Sequence, residues 1–453
     1  MNQESKIIGA IDIGTTKIVA IAGRKYTAGK IEVIGIEKIA STGVKRGVIT
    51  NIEETVSAIR QVVKALQDKL NIILTDVYAG MAGYSMRSLG NRCYKFINKG
   101  SEITSFDLEQ LQNDAHRITL EPGERVIHVI PQEYRVDNEM PEKNPVGMSG
   151  DRIEGFFHVV IGRINVIENI EKCVQRAGLK LSGIVLESLA SSYATISEEE
   201  REAGVVTVDI GGGTTDLAVF YDGVIRYSAV IPFGGNIITN DIKEGCNLLQ
   251  KQAESIKVKF GSALGSMVNE DTVISIPGIQ GWEPKEISLK NLAFIIQARM
   301  EEIIECIIFH IKESGYLEKL GAGIVITGGG ALLRNISQLI KLQTGIDVRM
   351  GRPDIYFNEN IVSFEEMPFY STATGLMKSS CVYIPAKSTE QTLFDDDDSV
   401  IQAEREKQKK EKAKKEKPEK KKRETTGNLL TGDLFGMFSK KIVNIFEDKD
   451  VAM

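Results

Sequence analysis

The chain is poor in the residues that build metal and disulfide scaffolds. Its five cysteines, Cys93, Cys173, Cys246, Cys306 and Cys381, lie far apart with no CxxC pair, and there are only four histidines. That pattern argues against both a zinc site and a disulfide framework. No apolar run approaches the roughly 20 residues a membrane-spanning helix needs. The N-terminal MNQESKIIGAIDIG has neither a basic start before a long apolar stretch nor a small-residue cleavage site. A cytoplasmic location is therefore expected. GxxxxGK[ST] and GxGxxG are missing as well, so neither a Walker loop nor a dinucleotide-binding turn competes for any phosphate chemistry. The net charge of −6 is small and unevenly spread, which argues against a general nucleic-acid binder.

What is present is a duplication. At 453 residues and 42% apolar composition the chain can bury two cores. GAIDIGTTKIVAI, Gly9 to Ile21, has a near copy in TVDIGGGTTDLAVF, Thr207 to Phe220. Each reads as an apolar strand delivering an aspartate, Asp12 or Asp209, into a turn. The first turn holds Gly14, Thr15 and Thr16 followed by Lys17, and the second Gly211, Gly212, Gly213, Thr214 and Thr215. Glycine lets successive N–H groups point at an anion and threonine hydroxyls add donors, so two facing turns would clamp a polyphosphate. The two aspartates would then approach a magnesium ion, through water because magnesium sheds its hydration shell reluctantly. A single copy reads equally well as a tight hairpin closed by Asp-Gly or Gly-Gly; the recurrence favours the site. A third glycine run, GIVITGGGALLRNI, follows another apolar strand and opens a helical pattern, where Gly328, Gly329, Gly330 and Leu333 would receive a base or sugar.

Duplicated phosphate hairpins with a late glycine-rich motif resemble the actin, hexokinase and heat-shock chaperone ATPase superfamily. Within it, STGVKRGVITNIEET, HVIPQEYRVDN, KCVQRAGL and VLESLASSYAT are similar to the bacterial cell-division FtsA family, over Lys6 to about Pro385. The resemblance implies an α/β actin-like ATPase fold of two lobes, each with a ribonuclease-H-like five-stranded sheet flanked by helices, plus an FtsA-type inserted subdomain, 1C. The expected parts are the first half of lobe 1 (subdomain 1A) at 1–83, 1C at 84–162, the remainder of 1A at 163–203, and lobe 2 at 204–385. Lobe 2 would comprise 2A with 2B inserted at about 240–310.

Helical spacing of Ile52, Val56, Ile59, Val63 and Leu66 predicts a helix after the first strands. Helix signals near Phe106 to Ile118 and strand signals at Arg125 to Ile130 and Phe156 to Ile161 fall in the insertion. By resemblance the cofactors are ATP and Mg2+, Glu187 orients the attacking water, and Glu254 with Lys257 reach ribose and adenine. Read from spacing alone, Glu187 caps or solvates a helix, and Glu254 and Lys257 make an ordinary i,i+3 surface pair. The resemblance also implies the FtsZ C-terminal tail as a partner, with Arg299 its candidate anion contact, together with self-assembly into filaments and other divisome proteins through 1C.

After Pro385 the composition changes. Residues 386–427 hold an acidic cluster and then a lysine-rich run with interleaved glutamates and no aromatic after Phe394, which reads as a disordered charged tether rather than a nucleic-acid arm. Residues 428–453 place Leu434, Phe435, Phe438, Ile442, Ile445 and Phe446 on one helical face, suited to lying in a membrane interface. FtsA relatives end in such a membrane-targeting helix. Gly436 weakens the helix, and its basic face reduces to Lys440 and Lys441. The function expected is an ATP-binding, polymerising adaptor that tethers the FtsZ ring to the cytoplasmic membrane at the septum. The alternatives are a small-molecule kinase, for which nothing marks an acceptor pocket, and a pilus or microcompartment adaptor on the same fold.

Overall fold

The computed structural model describes residues 6–26, 31–83, 86–278, 283–354, 356–357 and 362–382. The charged tether and the apolar C-terminal stretch lie outside them.

The first lobe is built on a mixed sheet. Lys6–Ile13, Lys17–Lys25 and Ile31–Ala40 form an antiparallel meander. Asp76–Met81 then pairs parallel with the first strand, and Lys180–Leu186 parallel with Asp76–Met81 as an edge. These strands read as nearly unbroken apolar runs because both faces are covered. On one side lies helix Ile52–Leu70, which buries Val56, Ile59, Val63 and Leu66 as its spacing predicts. Asn51 starts it by accepting from the Glu54 N–H, and Asn71, in the left-handed region at φ 51°, ends it. The sheet has six strands rather than the expected five. The sixth is the two-residue Tyr356–Phe357, which returns from the second lobe to pair with Glu32 and Val33.

The second lobe repeats the plan with five strands. Val205–Ile210, Thr215–Tyr221 and Val224–Ile231 make the meander, and Ile324–Thr327 and Val348–Met350 add in parallel. Helices Gly235–Gly245, Gln250–Phe260 and Leu289–Glu313 cover it, the last burying Leu292, Ile296, Ile303 and Ile307. The glycine run at 328–330 does not open directly into a helix. It folds into a short 3-10 turn, and helix Ile336–Thr344 starts only after Asn335, held at φ 62°.

Two helices cross between the lobes. Glu187–Thr195 carries small residues on its buried face, and Ser371–Val382 lies so close that a Cβ on Gly375 would overlap the Ala190 carbonyl. Only glycine permits that approach.

The insertion is a three-stranded antiparallel sheet, Glu124–Val136 and Arg87–Phe96 flanking Arg152–Arg163, packed on helix Ser105–Ala115. It touches both lobes. Gln132 Nε2 donates to the Ile225 carbonyl at 2.6 Å and Ser88 Oγ to the Ser228 carbonyl at 2.9 Å, both on the edge strand of lobe 2. His128 reaches the edge strand of lobe 1, where its Nε2 accepts from the Leu186 N–H at 3.1 Å.

Candidate functional site

The Asp-Ile-Gly of each copy ends a strand at the cleft between the lobes, so the two hairpin turns face one another. Strand register defines their equivalence. Ile13 pairs with Ile18 and Ile210 with Thr215, leaving four-residue loops at 14–17 and 211–214. Thr15 and Thr16 are therefore the counterparts of Gly212 and Gly213, not of Thr214 and Thr215; Lys17 corresponds to Thr214. The turns are in direct contact. A Cβ on Gly212 would overlap Thr16 Oγ1 and one on Gly213 would overlap Thr15 Oγ1, so the glycines of one copy seat the threonines of the other. Thr15 Oγ1 also accepts from the Gly47 N–H at 2.9 Å.

Behind the turns sits an acidic cluster. Asp12, Asp209 and Asp216 are buried, and Asp216 pairs across the hairpin with Asp209. Glu187, the first residue of its helix, lies over Gly80, where an added Cβ would come within 2.8 Å of its carboxylate. Burial, with Asp209 adding and the Lys17 ammonium opposing, lifts Asp12 to about 6. Burial and the Asp209 charge lift Asp216 to about 8 against the hydrogen bond from Thr214. Burial raises Asp209 despite the bond donated by Thr372 Oγ1 at 2.8 Å. Glu187 rises well above the ordinary glutamate value, through burial and then the charges of Asp12, Asp216 and Asp209. Lys17 is held down to about 8 by burial, against the pull of the aspartates. Its ammonium donates to the Phe369 carbonyl and lies 4.5 Å from the Phe369 ring centre.

Asp216 was not among the sequence candidates. Its signal was the TTD that closes the second turn, hidden because alignment of the copies on their threonine pairs sets Asp216 opposite Lys17. It carries an orphan: Oδ1 is buried without a hydrogen-bond partner, while Oδ2 accepts from Thr214 at 2.9 Å. A buried, unpaired carboxylate oxygen among three more carboxylates is chemistry that suits a cation. Among the described residues no group of three or more His, Cys, Asp or Glu stands close enough to ligate a metal directly.

The remaining candidates gather in lobe 2. Gly328, at φ 84°, and Gly330 pack on the Asp209–Ile210 strand end, and Gly329 under Phe369. Leu333 joins the lobe 2 core. Lys257 pairs with Glu254 at 2.8 Å and donates to the Gly235 carbonyl at 2.9 Å and Thr239 Oγ1 at 2.8 Å, so the pair also ties down the start of the neighbouring helix. Arg299 stands apart from the cleft's acidic cluster. Its guanidinium is bidentate on Asp241, at 2.6 and 3.1 Å, and also pairs with Glu302.

Two sheets of one topology, a repeated Asp-Ile-Gly hairpin and two crossing helices define an actin-like α/β protein. The fold matches that of the PilM–PilN type IV pilus biogenesis complex, with a TM-score of 0.59 and 13% identity over 83% of this chain and 99% of that one. The chain belongs to the cell division protein FtsA family. The family model for that protein matches residues 206–375, and the model for the SHS2 domain inserted in it matches 83–161. Cell division protein FtsA of Pseudomonas aeruginosa is 37% identical over 83% of this chain and 89% of its own. That of Escherichia coli K12 is 33% identical over 83% and 90%, and that of Borreliella burgdorferi 37% over 82% and 90%. No helix among the described residues is long and apolar enough to cross a membrane.

Proposed function

We propose that this division protein binds ATP with magnesium in the cleft between its lobes. The observation that supports it is the clustering of buried Asp12, Asp209, Asp216 and Glu187, with the Lys17 ammonium beside Asp12 and Asp209 and an orphaned carboxylate oxygen on Asp216. Such a cluster is short of positive charge, and a hydrated divalent cation would relieve it. Gly14 to Lys17 and Gly211 to Thr215 would hold the phosphates from the two sides. Glu254, Lys257, the glycines 328–330 and Leu333 would line the nucleoside end. Asp12 and Asp209 would hold the hydrated cation, which would supply charge neutralisation to the phosphates, and Glu187 in its ionised form would accept from and orient water.

Assembled as a filament through contacts between copies, and held to the membrane by the apolar face at 434–446, the chain would tether the FtsZ ring and recruit later division proteins through 1C. Calorimetry tests the cleft. Magnesium should strengthen ATP binding to the wild type and much less to Asp12→Asn or Asp209→Asn; equal magnesium dependence in all three would remove the cation from the site. Electron microscopy with ATP on a lipid monolayer tests the filament.

A further inference from the structure

The helix that carries Glu187 begins without the usual fastening. Its N-cap is Leu186, which makes no side-chain cap, and no Ser, Thr, Asp or Asn stands there to satisfy the first turn. Leu186 also ends Lys180–Leu186, an edge strand of the lobe 1 sheet, so its N–H needs an acceptor from outside the sheet. His128 of the insertion supplies it at 3.1 Å, both residues being buried.

We propose that His128 is a positioning residue: by accepting the Leu186 N–H it fixes the first turn of the helix on which Glu187 rides, and so ties the inserted subdomain to the orientation of water in the cleft. The acceptor is Nε2, which places the proton of the neutral ring on Nδ1. Burial, with neighbouring His158 adding to it, holds His128 down to about 3, so the ring remains neutral and able to accept throughout the working range. His158 in turn contacts Ser228 Oγ at 3.0 Å, on the edge strand of lobe 2. The insertion thus grips the catalytic helix start with one histidine and the opposite lobe with the other.

The proposal rests on the water-orienting role of Glu187. In that step the water oxygen bonds to the terminal phosphorus as the bond to the bridging oxygen breaks, giving ADP and inorganic phosphate, with the water proton released. Misplacing an orienting group by about 1 Å can cost up to a hundredfold in rate. The test is single-turnover ATP hydrolysis and ATP affinity in the full chain. His128→Phe, which removes the acceptor, should slow hydrolysis at least about tenfold with affinity within about twofold. His128→Gln, which restores an acceptor, should recover most of the rate. Leu186→Pro deletes the donor instead, at a φ of −59° that suits proline, and should act alike if His128→Phe fails to fold. The double variant should be no slower than the slower single. Wild-type hydrolysis in a folded His128→Phe, additive losses, or affinity falling in step with rate would overturn the proposal. Glu187→Ala turning over like wild type would mark the water-orienting role as the failure. Amide exchange at 187–189, expected to quicken in His128→Phe, then still reports on His128, and unchanged exchange overturns its positioning role.

Discussion

Asp216 should make the ligand-free protein less stable as pH rises toward 8. Its folded value of about 8, against an ordinary 3.8, means that the folded state keeps a proton the unfolded chain has released. Stability from this group is full below about 4 and is lost as pH rises to about 8. Other groups act elsewhere in that range. Asp12 loses its share by about 6, while His128 and His158, buried neutral at about 3 and about 4, add stability up to their unfolded value of 6.5. Lys17, held down to about 8, adds stability only above that. Between pH 6.5 and 8 Asp216 therefore outweighs Asp12, Lys17, His128 and His158, with Glu187 and Asp209 acting in the same direction. One proton is worth about 1.4 kcal/mol per pH unit, so Asp216 alone removes about 2 kcal/mol across that window. Asp216→Asn, which keeps an oxygen for Thr214, should abolish this loss and raise stability at pH 8 by up to about 5 kcal/mol. Urea unfolding in EDTA at pH 6.5, 7.25 and 8 reads both effects. Magnesium with ATP should flatten the wild-type profile, since a bound cation favours the ionised carboxylates. Parallel profiles for wild type and Asp216→Asn in EDTA would refute the reasoning.

Gly212→Ala should force the two turns apart, at about 1–3 kcal/mol of overpacking, and weaken ATP binding five- to hundredfold; Thr16→Gly in the same chain should restore much of it. Gly375→Val should wedge the crossing helices at the Ala190 carbonyl, lowering the melting temperature by several degrees while leaving the insertion's amide protection intact. Phe435→Asp with Phe438→Asp should abolish co-sedimentation with anionic liposomes and spare ATP binding, because in the proposed membrane contact apolar burial, at about 25 cal/mol per Å², would supply most of the hold. High salt should weaken wild-type sedimentation only in part, since it screens the lysines and not the apolar face.

Much of the fold was legible because its signals are local. Helix Ile52–Leu70 has a 3.6-residue apolar period and an asparagine at each end, and the hairpins announce themselves in glycine. Strand Arg87–Phe96 was not legible. Its inward positions include Leu89, Asn91, Cys93 and Lys95, half of them polar because Asn91 bonds the Ala115 carbonyl and Lys95 pairs with Asp107, so the two-residue period is masked. Within the site, Asp12 and Asp209 stood out at the ends of apolar strands. His128 and Phe369 did not, since each reaches the cleft's surroundings from a distant segment whose sequence carries no sign of the approach.

The contact between the turns has a consequence for how such a chain can arise. Thr16 meets Gly212 and Thr15 meets Gly213, and because Thr15 corresponds to Gly212 and Thr16 to Gly213, the contact is reciprocal in position. Two identical halves meeting this way could fit only if each carried one threonine and one glycine; threonine at both positions would overlap twice, and glycine at both would leave two gaps. An assembly of two equal subunits is bound to that symmetry. Joined in a single chain, the halves are free to place both threonines on one turn and both glycines on the other, an asymmetry that two equal subunits could not carry.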